Sequence, residues 1–224
     1  MKNRTILLII LTTLVFIFVG LGIGFLIAFI KDKGGNNYIW AILIFLAVLS
    51  VIYIVIDERK SKKELTRKKS QYLDLGKLLF ENYTTEFEVF YQSYLQTNNK
   101  NLKPIEAIHE FADKKGLSLI IDCKGEENEG EVEYFISSLI DKTISWTNTA
   151  KLRERNSDYE NNNSKFIYIL FNAIDKDLKE INGKLLFFDL GTDSYIFTVT
   201  QSTIFKKITK IENEDFHGSE KFKT

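Results

Sequence analysis

From Thr5 to Ile30 the chain carries no charged side chain, only apolar residues with three Thr and three Gly among them. A helix over that stretch would rise about 39 Å at 1.5 Å per residue, more than the roughly 30 Å of a bilayer's hydrocarbon core. Tyr38–Ile56 is a second uncharged run, broken only by Ser50, and Gly34-Gly35-Asn36-Asn37 between the two is turn material. The pattern predicts two membrane-spanning helices, about 5–30 and 38–56. Tyr38, Trp40 and Tyr53 stand near the ends of the second run, where amphipathic aromatics belong. A cleaved signal peptide fits worse, because the apolar stretch is too long and no small-residue cleavage motif follows it. Gly20 and Gly24 form a GxxxG pattern, which permits close packing of two helices, most simply with the second run of the same chain.

Basic residues near the ends of the runs set the expected direction. Lys31 and Lys33 lie between them, against Lys2, Arg4, Arg59, Lys60, Lys62, Lys63, Arg67, Lys68 and Lys69 on the outer flanks. The expected location is the cytoplasmic or cell inner membrane, multi-pass, with both termini cytoplasmic and the lipid bilayer as a partner. The basic stretch 57–71 reads as a juxtamembrane linker. Its Arg59, Lys60, Lys62, Lys63, Arg67, Lys68 and Lys69 would each gain about 1 kcal/mol beside anionic lipid.

The formal net charge of zero conceals a division: residues 1–56 sum to +3, residues 57–69 to +4, and residues 70–224 to −7. An acidic domain repels phosphate backbones, so nucleic acid is not expected as a partner. Cys123 is the only cysteine, so no intrachain disulfide forms. One proline and abundant Lys, Asn, Ile and Phe point to an AT-rich bacterial genome.

Downstream of the basic stretch the hydrophobic period changes repeatedly. Phe87, Phe90, Tyr91, Tyr94 and Leu95 predict an amphipathic helix over 84–96. Pro104 suits the first turn of a second helix bearing Ile105, Ile108 and Ala112, which Gly116 ends. Leu117–Asp122 reads as a buried strand, and residues 131–146 as a helix with Val132, Phe135, Ile136 and Leu139 on one face. The polar stretch 147–163 reads as a long exposed loop. Ile167, Leu170, Phe171, Ile174, Leu178 and Ile181 mark another helix, stopped at Asn182-Gly183. Residues 184–190 and 195–201 read as a hairpin turning at Gly191-Thr192-Asp193-Ser194. A short helix follows over 204–211, and residues 213–224 read as a flexible tail. The expected architecture is thus a two-helix transmembrane hairpin followed by an α+β soluble domain, over 72–212, with a small, mainly antiparallel sheet.

No phosphate-binding loop, dinucleotide fingerprint, HExxH or CxxC motif is present. His217 falls in the expected tail, and His109 lies at the edge of an apolar stripe, where a packed structural role suits it. Acidic neighbours raise a thiol's pKa, so Cys123 reads as structural rather than nucleophilic. The acids Asp122, Glu126, Glu127, Glu129, Glu131 and Glu133 crowd one stretch. They either complement a helix dipole or, with Asp189 and Asp193 from the hairpin, converge on a cationic ligand or divalent metal. Their spacing does not match an EF-hand loop, and no cofactor is implied.

The segments Leu119-Ile120-Ile121-Asp122-Cys123-Lys124-Gly125-Glu126-Glu127 and Leu185-Leu186-Phe187-Phe188-Asp189-Leu190-Gly191-Thr192-Asp193-Ser194-Tyr195-Ile196-Phe197 resemble an uncharacterised bacterial family, domain of unknown function 6630. Its members pair a strand ending in Asp-Trp-Lys and acids with a late Asp-Ser-Tyr hairpin. The resemblance spans roughly residues 72–212 and departs from the family at Cys123, where the pattern has Trp. It implies a fold and no mechanism.

Two functions fit these features. One is a non-enzymatic module that binds an unknown protein partner at the inner membrane face. The other is an acidic-site, metal-dependent hydrolase or ligand-binding domain. The candidate positions are Asp122, Glu126, Glu127, Asp189, Asp193 and Tyr195, and convergence of the acids in one pocket separates the two readings.

Overall fold

The computed structural model describes Gly24 and residues 37–97, 103–155 and 164–222. The chain divides between Thr66 and Arg67 into two compact units. Helix α1 spans Asn37–Leu79. Among the described residues no helix is long and apolar enough to cross a membrane. That overturns the two-helix transmembrane hairpin and, with it, the multi-pass membrane location. In α1 the uncharged run gives way to Asp57, Glu58, Arg59 and Lys60 without a break in the helix. The expected first span, 5–30, lies outside the described residues apart from Gly24.

In the second unit, α1 ends at a turn, Glu81–Tyr83, and is followed by α2 (Thr84–Thr97) and α3 (Pro104–Lys114). Strand β1 (Leu119–Ile121) leads to α4 (Glu131–Leu139), α5 (Thr147–Arg155) and α6 (Ser164–Leu178). Then come β2 (Gly183–Phe188), β3 (Tyr195–Gln201), α7 (Ser202–Ile211) and β4 (Phe216–His217). The sheet order is β1-β3-β2-β4, every pair antiparallel. This is an α+β domain with a small antiparallel sheet.

Alternate strand residues face opposite sides, and here both sides are covered. Leu186, Phe188 and Ile196 pack with Tyr72 and Leu75 of α1, Phe87 and Tyr91 of α2, Ile105, Ile108 and Phe111 of α3, and Ile208 of α7. Leu185, Phe187 and Phe197 pack on the other side with Val132 and Ile136 of α4 and the stripe Ile167, Leu170, Phe171, Ile174 and Leu178 of α6. Rings interlock on both faces: Phe87 meets Phe111 edge-on at 5.2 Å, and Phe171 meets Phe187 at 5.0 Å. Each such pair adds about 0.5–1.5 kcal/mol to the burial of its area.

Two further expectations are corrected. The polar stretch 147–163 is not all loop, because Thr147–Arg155 is α5. Its first turn is held from outside. The backbone N–H groups of Asn148 and Thr149, and both their side chains, donate to the buried carboxylate of Asp177 at 2.7–2.9 Å. One distant acid thus satisfies donors that a helix start leaves open. The region from 213 is also not a loose tail. Phe216, 1% exposed, and His217 form β4 against Phe188 and Phe187. The hydroxyl of Tyr72 donates to Asp215, which ties this strand back to α1.

Candidate functional site

At the β2–β3 turn an open cleft of about 470 Å³ is lined by Cys123, Tyr168, Asp189, Asp193, Tyr195, His217, Lys221 and Phe222, among others. Its placement follows from strand register. Ile121 is paired with Tyr195, so the residues after β1 lie beside those before β3. The two segments that carry the family resemblance therefore adjoin in space.

Asp189 follows β2. Its N–H donates to the carbonyl of Asp215 at 2.9 Å, which extends the β2–β4 pairing. Its carboxylate accepts Lys221 Nζ at 2.8 Å and the Gly191 N–H at 3.2 Å. Lys221, chiefly, holds this carboxyl below its ordinary range. Gly191 turns the chain with φ 74°, a left-handed conformation that glycine adopts without strain. Asp193 is exposed at the turn.

Tyr195 is half-buried. Its hydroxyl donates to that of Tyr168 at 2.8 Å, and its ring stands edge-on to Phe171 at 5.5 Å and to Phe222 at 5.2 Å. Burial, then the Tyr168 hydroxyl, raises its phenol pKa, so Tyr195 stays neutral at physiological pH. His217 stacks on Phe187 with planes 5° apart, its Nδ1 3.1 Å from the Gly218 carbonyl. That contact makes Nδ1 the protonated nitrogen of a neutral ring, and burial lowers its pKa. The carboxylate of Asp122, and then burial, raise the Cys123 thiol, which therefore stays protonated.

The remaining acids stand elsewhere. Asp122 is exposed and closes its own turn, accepting the Lys124 N–H at 2.8 Å. Glu126, only 3% exposed, accepts the Val132 N–H of α4 at 3.0 Å and Arg153 Nη2 at 2.8 Å. Arg153 also forks onto Glu133 at 2.7 Å through Nε and Nη2. Burial raises the carboxyl of Glu126, against the pull of Val132 and Arg153. Glu127 is exposed and gives its N–H to Glu131 at 3.2 Å. Asp189, Asp193 and Tyr195 thus share the cleft with Cys123, while Asp122, Glu126 and Glu127 do not line it. Among the described residues no group of three or more His, Cys, Asp or Glu is placed to hold a metal ion.

Sequence reasoning did not find Tyr168, Lys221 or Phe222. Tyr168 is one residue off the apolar stripe of α6, and the other two lie in the stretch read as a tail. The pairing of Arg153 with Glu126 was equally hidden, since Arg153 lay in a presumed loop.

Fold and cleft together define an α+β domain with a half-aromatic recess at one end of its sheet. The chain belongs to the family described as Domain of unknown function (DUF6630), whose model matches residues 53–220. No curated protein and no solved structure matches the chain.

Proposed function

We propose that the domain is a non-enzymatic protein-interaction module whose contact site is the cleft around Tyr195. One observation carries the reading: the carboxylate and the thiol best placed to attack a ligand in the cleft are already engaged. Asp189 is paired with Lys221, and Asp122 holds the Cys123 thiol in its protonated form. General acid–base or nucleophilic catalysis needs a base within hydrogen-bond reach of the proton it takes. The hydrolase reading has less support, because three of its five acids, Asp122, Glu126 and Glu127, stand outside the cleft. What the cleft offers is an aromatic wall of Tyr168, Tyr195 and Phe222 with Asp193 and Thr192 at its mouth. Aromatic anchors of this kind dominate protein interfaces.

The test places a photo-crosslinking amino acid at Thr192 in the full chain, in its native cell. A discrete adduct with another protein, lost when Asp193→Arg is added, is the expected result. Absence of any adduct, together with a hydrolytic activity abolished by Asp189→Asn, would replace the module with the enzyme.

A further inference from the structure

The two outer edges of the sheet are finished differently. On the β4 side, β2 extends beyond its two-residue partner, and its exposed edge is blocked. Asp175 accepts the Leu185 N–H at 2.9 Å and holds Lys184 Nζ at 2.8 Å, and the Ser219 hydroxyl donates to the same carboxylate. A charge set against an edge is one of the ways proteins prevent further strand pairing.

On the other side β1 covers only Tyr195–Phe197 of β3. The reason is local. Gly116, at φ 64°, ends α3, and the Leu117 N–H is already given to the Ala112 carbonyl at 2.8 Å. The chain that would pair with the rest of β3 is therefore tied to a helix end, and β1 begins only at Leu119.

The register shows which groups this leaves open. In an antiparallel pair, opposed residues alternate between exchanging both hydrogen bonds and turning both outward. Leu185 turns its N–H away from β3 to reach Asp175, so the opposed pair Leu185 and Val199 is of the outward kind. Val199 therefore turns its N–H and C=O toward the side of β1, as do Phe197, Tyr195 and Gln201, while Thr198 and Thr200 bond β2. Phe197 and Tyr195 meet Leu119 and Ile121. Among the described residues no backbone group is bonded to Val199 from that side. A groove of about 460 Å³ runs along this open edge, between Phe80 and Tyr83 on one wall and Leu139 and Ile140 on the other.

From this geometry we infer that the groove takes an extended peptide segment of a partner protein, which adds to the sheet antiparallel to β3 and in line with β1. Main-chain bonds to Val199 supply the attraction, and alternate side chains of the peptide fall on the two walls, the mode known as strand addition. Side chains on one face of the peptide meet the Thr198 and Thr200 face of the sheet. Those on the other meet Val199 and Ile140, so alternating hydroxyl and branched apolar residues fit. Two copies of this chain do not pair through their Val199 edges, because each edge lies between the same walls. The groove lies at the opposite end of β3 from the Tyr195 cleft, so this inference stands or falls apart from that site.

Residue-resolved hydrogen exchange on the full chain tests it, with a capped six-residue peptide of alternating Val and Thr at millimolar concentration as the probe. Without peptide, the Val199 amide should exchange about 100-fold faster than those of Thr198 and Thr200. The peptide should slow Val199 about tenfold and leave Leu185 unchanged. Of two peptides N-methylated at alternate residues in opposite phase, one should keep the effect and the other lose it. Three results overturn the proposal: slow exchange at Val199 without peptide, which means that another part of the chain or a second copy fills the groove; equal protection by both methylated peptides; or no protection by the unmodified one.

Discussion

The ring of Phe87 lies against Gly76 so closely that a β-carbon on Gly76 would stand 2.1 Å from Phe87 Cζ. Phe87 is fully buried, and Phe80, Tyr91 and Phe111 surround it at ring distances of 5.2–5.5 Å. The close approach of α2 to α1 thus depends on one missing methyl group.

Gly76→Ala should therefore destabilise the domain by about 1–3 kcal/mol, the usual cost of overpacking, although Ala is the better helix former. Adding Phe87→Leu should recover part of the loss. Urea unfolding of the two variants and the parent checks both statements, and a Gly76→Ala variant as stable as the parent contradicts the contact.

Asp177 is buried yet ionised. Burial alone would raise its carboxyl, but the N–H groups and side chains of Asn148 and Thr149 leave it below the usual 3.8. A carboxyl whose folded pKa is depressed stabilises the fold above its unfolded pKa, and that contribution disappears as pH falls through the folded value. Asp177→Asn should cost about 3 kcal/mol at neutral pH, since two buried hydrogen-bonding oxygens become one. It should also flatten the acid limb of the stability curve. Unfolding free energies from pH 7 down to the acid range separate the two effects.

Glu126 behaves oppositely, since burial raises its carboxyl. Removing its partner by Arg153→Met leaves two carboxylates facing each other, with the side chain of Glu126 1% and that of Glu133 14% exposed, and should cost about 3 kcal/mol. With the folded pKa of Glu126 then higher still, the loss should shrink as pH falls through that value. Adding Glu126→Gln should remove this pH dependence, which denaturation at several pH values reads directly.

Tyr195→Ala should cost about 3 kcal/mol by emptying the space between Phe171 and Phe222. Tyr195→Phe, which loses only the bond to Tyr168, should cost about 1 kcal/mol. Asp193→Ala, at an exposed turn, should cost less than about 1 kcal/mol. Thermal melts rank the three. A Tyr195→Ala variant that melts like the parent would show that the ring is not part of the core.

These residues also show what a sequence can reveal. The stripe from Ile167 to Leu178 and the hairpin around Gly191 were legible, because their periods and turn residues are local. Helix α5 was not, since the group that holds its first turn, Asp177, comes from another helix. The acids from Asp122 to Glu133 looked like a potential cluster until Arg153, in a stretch that reads as loop, accounted for Glu126 and Glu133. Strand β4 has two residues, too few for any period, and its burial is set by Phe187 and Phe188. The uncharged run 38–56 matched the length rule for a span, but in the structure it belongs to a helix that continues without a break into charged residues.

The position of β4 bears on how the domain is made. Tyr72 and Asp215, joined by a hydrogen bond, are 143 residues apart, and Phe187 and Phe188 find their partners only at His217 and Phe216. β1 likewise waits for Phe197, Ile196 and Tyr195. During synthesis the helices around Phe87 and Phe111 emerge long before the strands that cover them. Contacts this remote in the chain slow folding and lengthen the time during which apolar surface is exposed. A nascent chain stopped before Asp215 lacks the last strand of its sheet, so the fold is completed only once that strand has been made.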